Sequence, residues 1–290
     1  MRSRLAVLLA ALLFSTGGAV IKLTTLTSWE IAGLRSLVAA VVLFILLPEA
    51  RRLASPQAWL AGIAYAATLV LFVLATKLTT SASAIFLQST APLWLLCLGP
   101  LLLREKNQPR DFALGGVMAA GMACSFLDPS TGTSLAPNPP LGNALATASG
   151  LTWAATVITL RGASRREGGS SLPVVTAGNL LAFAISLPFM LPLEPVDRHD
   201  LLAILYLGIF QVGLAYVFLN RGMRHVPAFE SAVLVLLEPA VNPVWTLLLL
   251  GERPGPLTVV GGLLILTSTL LYATVRPRPA ASDTGAMTPD

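Results

Sequence analysis

Ten apolar stretches, each close to the length of a membrane-spanning helix, restrict the fold of this chain more than any other feature. A helix needs about 20 mostly apolar residues to cross the hydrocarbon core of a bilayer. Lipid cannot satisfy exposed backbone groups, so stretches of this length must be helices and not the short alternating strands of a barrel. The spans, numbered one to ten, are residues 4–24, 30–48, 57–76, 81–103, 110–127, 141–160, 172–192, 201–220, 229–250 and 255–275.

The composition agrees with a membrane protein. Hydrophobic residues make up 55% of the chain and charged residues 11%, whereas a soluble domain carries about 25% charged residues. The sequence therefore predicts an all-α polytopic membrane protein with ten transmembrane helices. Span one could instead be a cleaved signal peptide, because Arg2 and Arg4 precede its apolar run.

A stretch in span nine, residues 229–253, occurs in altered form at residues 82–106, and superposing Pro92 on Pro239 sets an offset of 147. The same offset pairs Lys77 with Arg224, Glu105 with Glu252, Pro109 with Pro256 and Gly115 with Gly262. A single offset over this length indicates an internal duplication. The first repeat has five spans only if span one is counted, so the duplication argues against span one being a cleaved signal peptide. We predict a first five-span repeat at 1–127, an external linker at 128–140, a second repeat at 141–276 and a disordered cytoplasmic tail at 277–290.

The basic residues predict the orientation, since they gather on the cytoplasmic side of a membrane. Only Lys22, Lys77, Arg198 and Arg253 fall on the other side, and Arg35 lies inside a span. Both termini should therefore be cytoplasmic, and the membrane is predicted to be the bacterial inner membrane. Because each half has an odd number of spans, the second half should be inverted relative to the first. Alternate connections carry the other basic residues: Arg2, Arg4, Arg51, Arg52, Arg104, Lys106, Arg110, Arg161, Arg165, Arg166, Arg221, Arg224, Arg276 and Arg278.

Inverted repeats in a helical membrane protein favour a secondary transporter, whose site lies near the midplane between the two halves. The alternatives are a duplicated scaffold that transports nothing and an intramembrane enzyme. An enzyme is not expected, because His199 and His225 lie in connections and no HExxH motif or Cys/His cluster is present. The net charge of +5 does not indicate a nucleic acid partner, because the basic residues lie in the connections where the positive-inside rule places them.

These features together resemble the EamA family of the drug/metabolite transporter superfamily. The resemblance rests on Arg35 early in span two, on Lys77 and Arg224 closing spans three and eight, on Leu-Glu-Pro in span nine and on Gly-Glu-Arg after it. Within the family the chain most resembles the YddG-type amino-acid exporters. The resemblance implies a basket of ten helices in which spans one, three, four, six, eight and nine surround a central cavity, with spans five and ten outside. It implies no cofactor.

Polar and aromatic residues at helical spacing predict the wall of that cavity. Glu238, Asn242 and Trp245 share one stripe of span nine, and a charge that faces lipid would cost about 2.5 kcal/mol or more. For each residue singly, ordinary helix packing remains the alternative. The candidate substrate-binding residues are Tyr65, Thr68, Phe72, Gln88, Trp94, Trp153, Tyr216, Asn220, Glu238, Asn242 and Trp245.

Such a wall has few charges and suits a small zwitterion better than a phosphate compound, which would require several cations at depth. Amino acids are the expected substrates, and uncharged metabolites or lipophilic drugs are the alternative. The oligomeric state is left open, with a monomer allowed.

Four side chains are candidates for special roles. Pro92 and Pro239 interrupt spans four and nine, where they can act as paired hinges or as static kinks. Arg35 can bind a substrate carboxylate, although anchoring at the membrane interface is the favoured interpretation, with Glu30 five residues back. Glu238 is the acidic residue predicted deepest in the membrane, where a carboxyl group favours its neutral form and can exchange a proton during transport. A packing role for a protonated Glu238 is the alternative.

Overall fold

The structure is a computed structural model that describes residues 2–102, 107–129, 133–167, 171–193, 195–223, 225–226 and 228–275. Within these ranges the chain is helical, and its only other pairing is an isolated bridge between Thr133 and Ala136. The predicted all-helical fold is therefore confirmed. Seven of the described helical segments are long and apolar enough to cross a membrane, and Pro256–Tyr272 is a shorter apolar segment of the same kind.

Each predicted span corresponds to one helix or to a short series of helices. Span one is α1 (Arg2–Ser15) with α2 (Gly17–Leu23), span two is α3 (Ser28–Leu46), span three is α4 (Pro56–Leu78), span four is α5 (Ser81–Gln88) with α6 (Ala91–Leu102), span five is α7 (Pro109–Leu127), span six is α8 (Pro139–Glu167), span seven is α9 (Leu172–Met190), span eight is α10 (Arg198–Tyr206), a π-helical segment (Leu207–Leu214) and α11 (Ala215–Met223), span nine is α12 (Ala228–Val235) with α13 (Leu237–Leu250), and span ten is α14 (Pro256–Val275).

Spans four and nine are both interrupted, at positions related by the sequence offset. The helix α5 ends at Gln88 and α12 ends at Val235, which are 147 residues apart. Pro92 and Pro239 lie just after the two interruptions, where a proline does not remove a hydrogen bond from an intact helix. The broken turn of span four is closed by side chains, since Ser89 Oγ donates to Ile85 O at 2.7 Å and Thr90 Oγ1 donates to Leu87 O at 2.6 Å.

The most extensive helix contacts join one half of the chain to the other. Span three packs on spans six and seven, span two on span seven, span one on span eight, and span five on span ten. The halves therefore bury their faces against each other and share one core, which extends from Ile21 in span one to Ile265 in span ten.

The linker between the halves is held in place over its described part. The backbone N–H of Asn138 donates to Leu78 O at 3.0 Å, and Ala136 is buried. The carbonyl oxygen of Leu135 accepts a hydrogen bond from the side chain of Lys22. The predicted tail at 277–290 lies outside the described residues.

Candidate functional site

A cavity of about 330 Å³ lies among the helices of both halves. All six spans that the family resemblance implies contribute to its wall, and single residues of spans two and ten join them. A volume of this size suits a small-molecule ligand. The wall is formed by Phe14, Arg35, Tyr65, Thr68, Leu69, Phe72, Ile85, Gln88, Ser89, Ala91, Pro92, Leu95, Trp153, Val157, Gln211, Val212, Tyr216, Leu219, Val235, Leu236, Glu238, Pro239 and Thr269.

Most of the residues predicted from the sequence lie in this wall. The structure brings together at least one predicted side chain from each of spans three, four, six and eight with Glu238 of span nine, and both hinge candidates join them. Their role in binding stays a prediction. The predicted residues in the wall are Tyr65, Thr68, Phe72, Gln88, Trp153, Tyr216 and Glu238, together with Pro92 and Pro239.

Four predicted residues, Trp94, Asn220, Asn242 and Trp245, are not part of the wall. Asn242 is buried and its Oδ1 accepts a hydrogen bond from Ser81 Oγ at 2.6 Å, while Trp245 Nε1 donates to Ser15 Oγ at 2.9 Å. Both lie one to two turns beyond Glu238 along α13, where the helices have already closed together. A helical stripe predicts which face of span nine turns inward, but it does not predict the depth at which the cavity ends.

Four aromatic rings form a continuous part of the wall across both halves. The ring of Tyr65 meets Tyr216 edge-on with centroids 6.0 Å apart, and it lies 6.2 Å from Trp153. Tyr216 in turn meets Phe14 edge-on at 5.2 Å. These edge-to-face contacts are a preferred geometry for aromatic pairs. The four packed rings form a mainly apolar surface of the cavity, to which spans one, three, six and eight contribute.

The neutral polar residues predicted for spans three and four are hydrogen-bonded to span six. Thr68 Oγ1 lies 2.9 Å from both Ala64 O and Thr152 Oγ1, and its single hydroxyl hydrogen is shared between these two acceptors. Gln88 Nε2 donates to Ser149 Oγ at 2.7 Å, and Ser149 Oγ donates to Thr68 O at 3.2 Å. These side chains tie three spans together, so part of their hydrogen-bonding capacity is already used in the wall.

Several wall residues were not among the predicted substrate-binding residues, and of these Arg35 and Gln211 matter most chemically. Gln211 lies in the π-helical segment of span eight, and such segments are frequent at functional sites. The presence of the Gln211 amide inside an otherwise apolar span could have indicated that this residue lines the cavity. Arg35 was interpreted as an interfacial anchor, but the structure buries it to 2% exposure at the cavity.

The helices close together at the end of the bundle that contains Lys22 and Glu252, which we name the closed end. Lys22 Nζ lies 2.6 Å from Glu252 Oε1 and donates to Thr79 O at 2.8 Å. Glu252 Oε2 accepts the backbone N–H of Ser81 at 2.9 Å. Gly251 ends α13 with a φ of 66°, a left-handed conformation that favours glycine, and this turn directs Glu252 back into the bundle.

One group of side chains in the described part of the chain could hold a metal ion, and it is remote from the cavity wall. Asp197, His199 and Asp200 have ligand atoms within 4.8 Å of one another at the start of span eight. Asp200 already accepts hydrogen bonds from Thr25 N at 3.1 Å and from Thr25 Oγ1 at 2.5 Å. These bonds fasten span eight to the connection between spans one and two, so we assign the group a structural role.

Two five-span repeats that enclose a polar and aromatic cavity between them, with interrupted helices around it, define a membrane transporter of the inverted-repeat class. The chain belongs to the EamA-like transporter family, whose model matches residues 1–127 and 140–274. No protein of curated function matches the sequence.

One solved structure, described only as the crystal structure of a protein, matches over 93% of this chain and 96% of its own, with a TM-score of 0.61 and 21% sequence identity. At that identity the similarity supports the fold alone.

Proposed function

We propose that this protein exports small metabolites, with neutral and aromatic amino acids foremost, across the bacterial inner membrane by alternating access. In this respect it would resemble the YddG-type exporters. The observation that carries the proposal is the cavity between the two halves, with its aromatic surface and its neutral amides. Among the residues that the structure describes, two charged side chains, Arg35 and Glu238, line it.

The closed end supports the alternating-access part of the proposal. The buried contact of Lys22 with Glu252 joins span one of the first half to the connection after span nine of the second half. By the distribution of basic residues this end faces outward, and both termini face the cytoplasm. In this conformation a substrate in the cavity would be separated from the outside by a layer that includes the bond between Ser81 and Asn242.

A second candidate function is export of lipophilic cations. Glu238 lies in the cavity wall and makes no hydrogen bond or ion pair with the residues that the structure describes. A carboxylate beside Tyr65, Tyr216 and Trp153 could bind a drug-like cation through charge and ring contacts. A scaffold without transport activity is the remaining alternative.

Uptake and efflux in proteoliposomes separate these functions. Purified protein is reconstituted, and a panel of radiolabelled amino acids, neutral metabolites and lipophilic cations is tested for saturable flux. The proposal predicts saturable flux of amino acids that unlabelled amino acids inhibit. Flux confined to lipophilic cations would favour the second candidate, and absence of flux for the whole panel would favour the scaffold.

A further inference from the structure

Arg35 is a buried cation that opens onto the proposed substrate cavity. It is the eighth residue of α3, which places it about 10 Å along the helix from its first residue. The side chain is 2% exposed and belongs to the cavity wall. Burial of a charge is costly unless hydrogen bonds or an opposite charge compensate it.

The described contacts of Arg35 satisfy only part of its guanidinium group. Nη2 donates to Leu69 O at 3.2 Å, and Nε has no hydrogen-bond partner. An arginine has five N–H donors. In the described part of the chain no carboxylate forms an ion pair with it.

The nearest acidic residue on the same helix is engaged elsewhere. Glu30 Oε2 accepts the backbone N–H of Thr27 at 2.8 Å, and Glu30 N donates to Thr27 Oγ1 at 3.3 Å. This reciprocal arrangement is a capping box, which satisfies the first turn of α3. The interpretation of Arg35 as an anchor supported by Glu30 therefore lacks its expected partner.

A second unsatisfied group lies in the same wall. Gln211 is buried, its Nε2 donates to Phe14 O at 3.4 Å, and its Oε1 has no partner. The π-helical segment that contains Gln211 packs on α3 close to Arg35, since a Cβ at Gly208 would lie 2.9 Å from Arg35 O. Arg35 and Gln211 thus supply unused donors and an unused acceptor to one cavity.

We propose that Arg35 binds the carboxylate group of the transported substrate. This inference rests on the proposed function of the cavity as the substrate site. A guanidinium group recognises a carboxylate through two parallel hydrogen bonds, for which Arg35 has the free donors. Tyr65 and Tyr216 share the cavity wall with Arg35, so their rings are available to contact the rest of the substrate.

The other wall residues favour a monocarboxylate over a more highly charged anion. Arg35 is the only cationic residue among the wall residues of the described structure, and Glu238 shares the wall with it. A phosphate dianion would meet one cation and one carboxylate, whereas an amino acid would present its carboxylate to Arg35 and its ammonium group to the remaining polar wall. The expected ligand is therefore a small zwitterion.

A matched series of ligands tests this role on the unmodified protein. The compounds are L-phenylalanine, L-phenylalaninamide, phenethylamine and 3-phenylpropanoate, and the readout is the rise in Tm of purified protein at increasing ligand concentration. The two carboxylates should stabilise the protein, with affinities at least about tenfold above those of the amide and the amine. Equal stabilisation by L-phenylalanine and its amide would overturn the proposal.

Variants extend the test. Arg35→Gln should remove the preference for L-phenylalanine over its amide, and Arg35→Lys should restore part of it. Arg51→Gln is the matched control, because Arg51 also donates to backbone carbonyls, Phe44 O at 2.8 Å and Ile45 O at 3.0 Å, but is exposed. A purely structural role for Arg35 predicts instead a lower Tm without ligand and an unchanged ratio of the two affinities.

The experiments distinguish a failure of the proposed role of Arg35 from a failure of the proposed function. If proteoliposomes transport amino acids but the acid and amide bind equally, the role of Arg35 is wrong and the function stands. If neither the carboxylates nor any amino acid binds while lipophilic cations are transported, the proposed function is wrong and the role of Arg35 is rejected with it.

Discussion

Lys22 Nζ and Glu252 Oε1 lie 2.6 Å apart, and both residues are buried, although 229 residues separate them in the chain. The pair links the last turn of span one to the connection after span nine, and the N–H of Ser81 at the start of span four completes the contact. An ion pair that crosses between two halves in this way can hold one end of a transporter shut, because any separation of the halves would leave two charges without partners.

We predict that removing this pair opens the closed end. In a background without Cys97 and Cys124, which are both free, a cysteine replaces Ser89 of the cavity wall. The double variant Lys22→Met/Glu252→Gln should increase labelling of this cysteine by a membrane-impermeant maleimide added outside intact cells, by severalfold. Unchanged labelling in a folded double variant would show that the pair does not control access.

Single variants and a neighbouring residue provide the controls. Glu252→Gln alone leaves Lys22 buried without its charge partner, which costs about 3–5 kcal/mol for a typical buried pair. We therefore expect a lower Tm for that single variant than for the double variant. Arg253→Gln changes an exposed charge next to Glu252 and should alter neither labelling nor Tm.

The predicted orientation has a direct test. Cysteines introduced at Ser130 in the linker and at Ser282 in the tail should be labelled from opposite sides of the membrane, the first from outside and the second only after permeabilisation. The physical reason is the excess of Lys and Arg in the connections that share a side with the tail. Labelling of both positions from one side would remove the inverted arrangement.

Hydropathy and periodicity predicted the spans well because burial in lipid depends on local composition. The duplication also indicated where spans four and nine would be interrupted, through Pro92 and Pro239. Contacts between residues that are distant in the chain could not be predicted from such local patterns. Lys22 and Arg253, the neighbour of Glu252, were both assigned to the outer side, yet no local sequence pattern predicted that Lys22 contacts Glu252.

The wall of the cavity was only partly predictable for a related reason. A stripe of polar residues gives the direction in which a helix faces, and Glu238 lies in the cavity wall. The stripe does not give the level at which neighbouring helices meet, so Asn242 and Trp245 were included although they pack in the closed layer. Arg35 was misjudged because its burial depends on the π-helical segment of span eight, which no local pattern indicates.

Trp153 and Trp94 form a matched pair for testing the cavity. Trp153 lies in the wall 6.2 Å from Tyr65, whereas Trp94, which packs against the same small cluster of Ala91 and Ala154 as Trp153, is not part of the wall. Trp153→Ala should change the preference among amino-acid substrates, since apolar contacts of this kind discriminate by about 1–3 kcal/mol. The measurement is competition by unlabelled amino acids in proteoliposomes.

The same competition assay should give an unchanged order of substrates for Trp94→Ala, even if its Tm falls. Equal effects of the two variants on transport would indicate that both tryptophans act through packing alone. A change in preference for Trp94→Ala without one for Trp153→Ala would contradict the position of the cavity.

The contact between spans five and ten predicts a stability effect that is independent of transport. A Cβ at Gly121 would lie 2.7 Å from Gly261 O, so the two helices approach closely at small residues. Gly121→Leu should lower the Tm of the purified protein markedly. Gly116→Leu on the same helix is the control and should have little effect, because Gly116 is exposed and a Cβ there meets no atom within 4 Å.

Glu238 is the residue that we propose for coupling transport to protons. It lies 13 residues before Gly251, which is about 20 Å along the helix and inside the predicted span nine. The packing alternative required a hydrogen bond from a protonated Glu238 to span eight or ten, and in the described part of the structure it makes none. Asn242, one turn away, bonds to Ser81 instead.

We therefore predict that Glu238→Gln retains exchange of substrate for substrate but loses the dependence of net flux on a pH gradient, because the amide keeps the shape of the protonated acid and cannot release a proton. Flux is measured in proteoliposomes with and without an imposed gradient. Asn242→Leu is the contrast, and it should lower Tm through loss of its bond to Ser81. A wild-type flux that ignores the gradient would exclude coupling without any variant, and a fall in folded yield for Glu238→Leu as large as that for Asn242→Leu would favour packing.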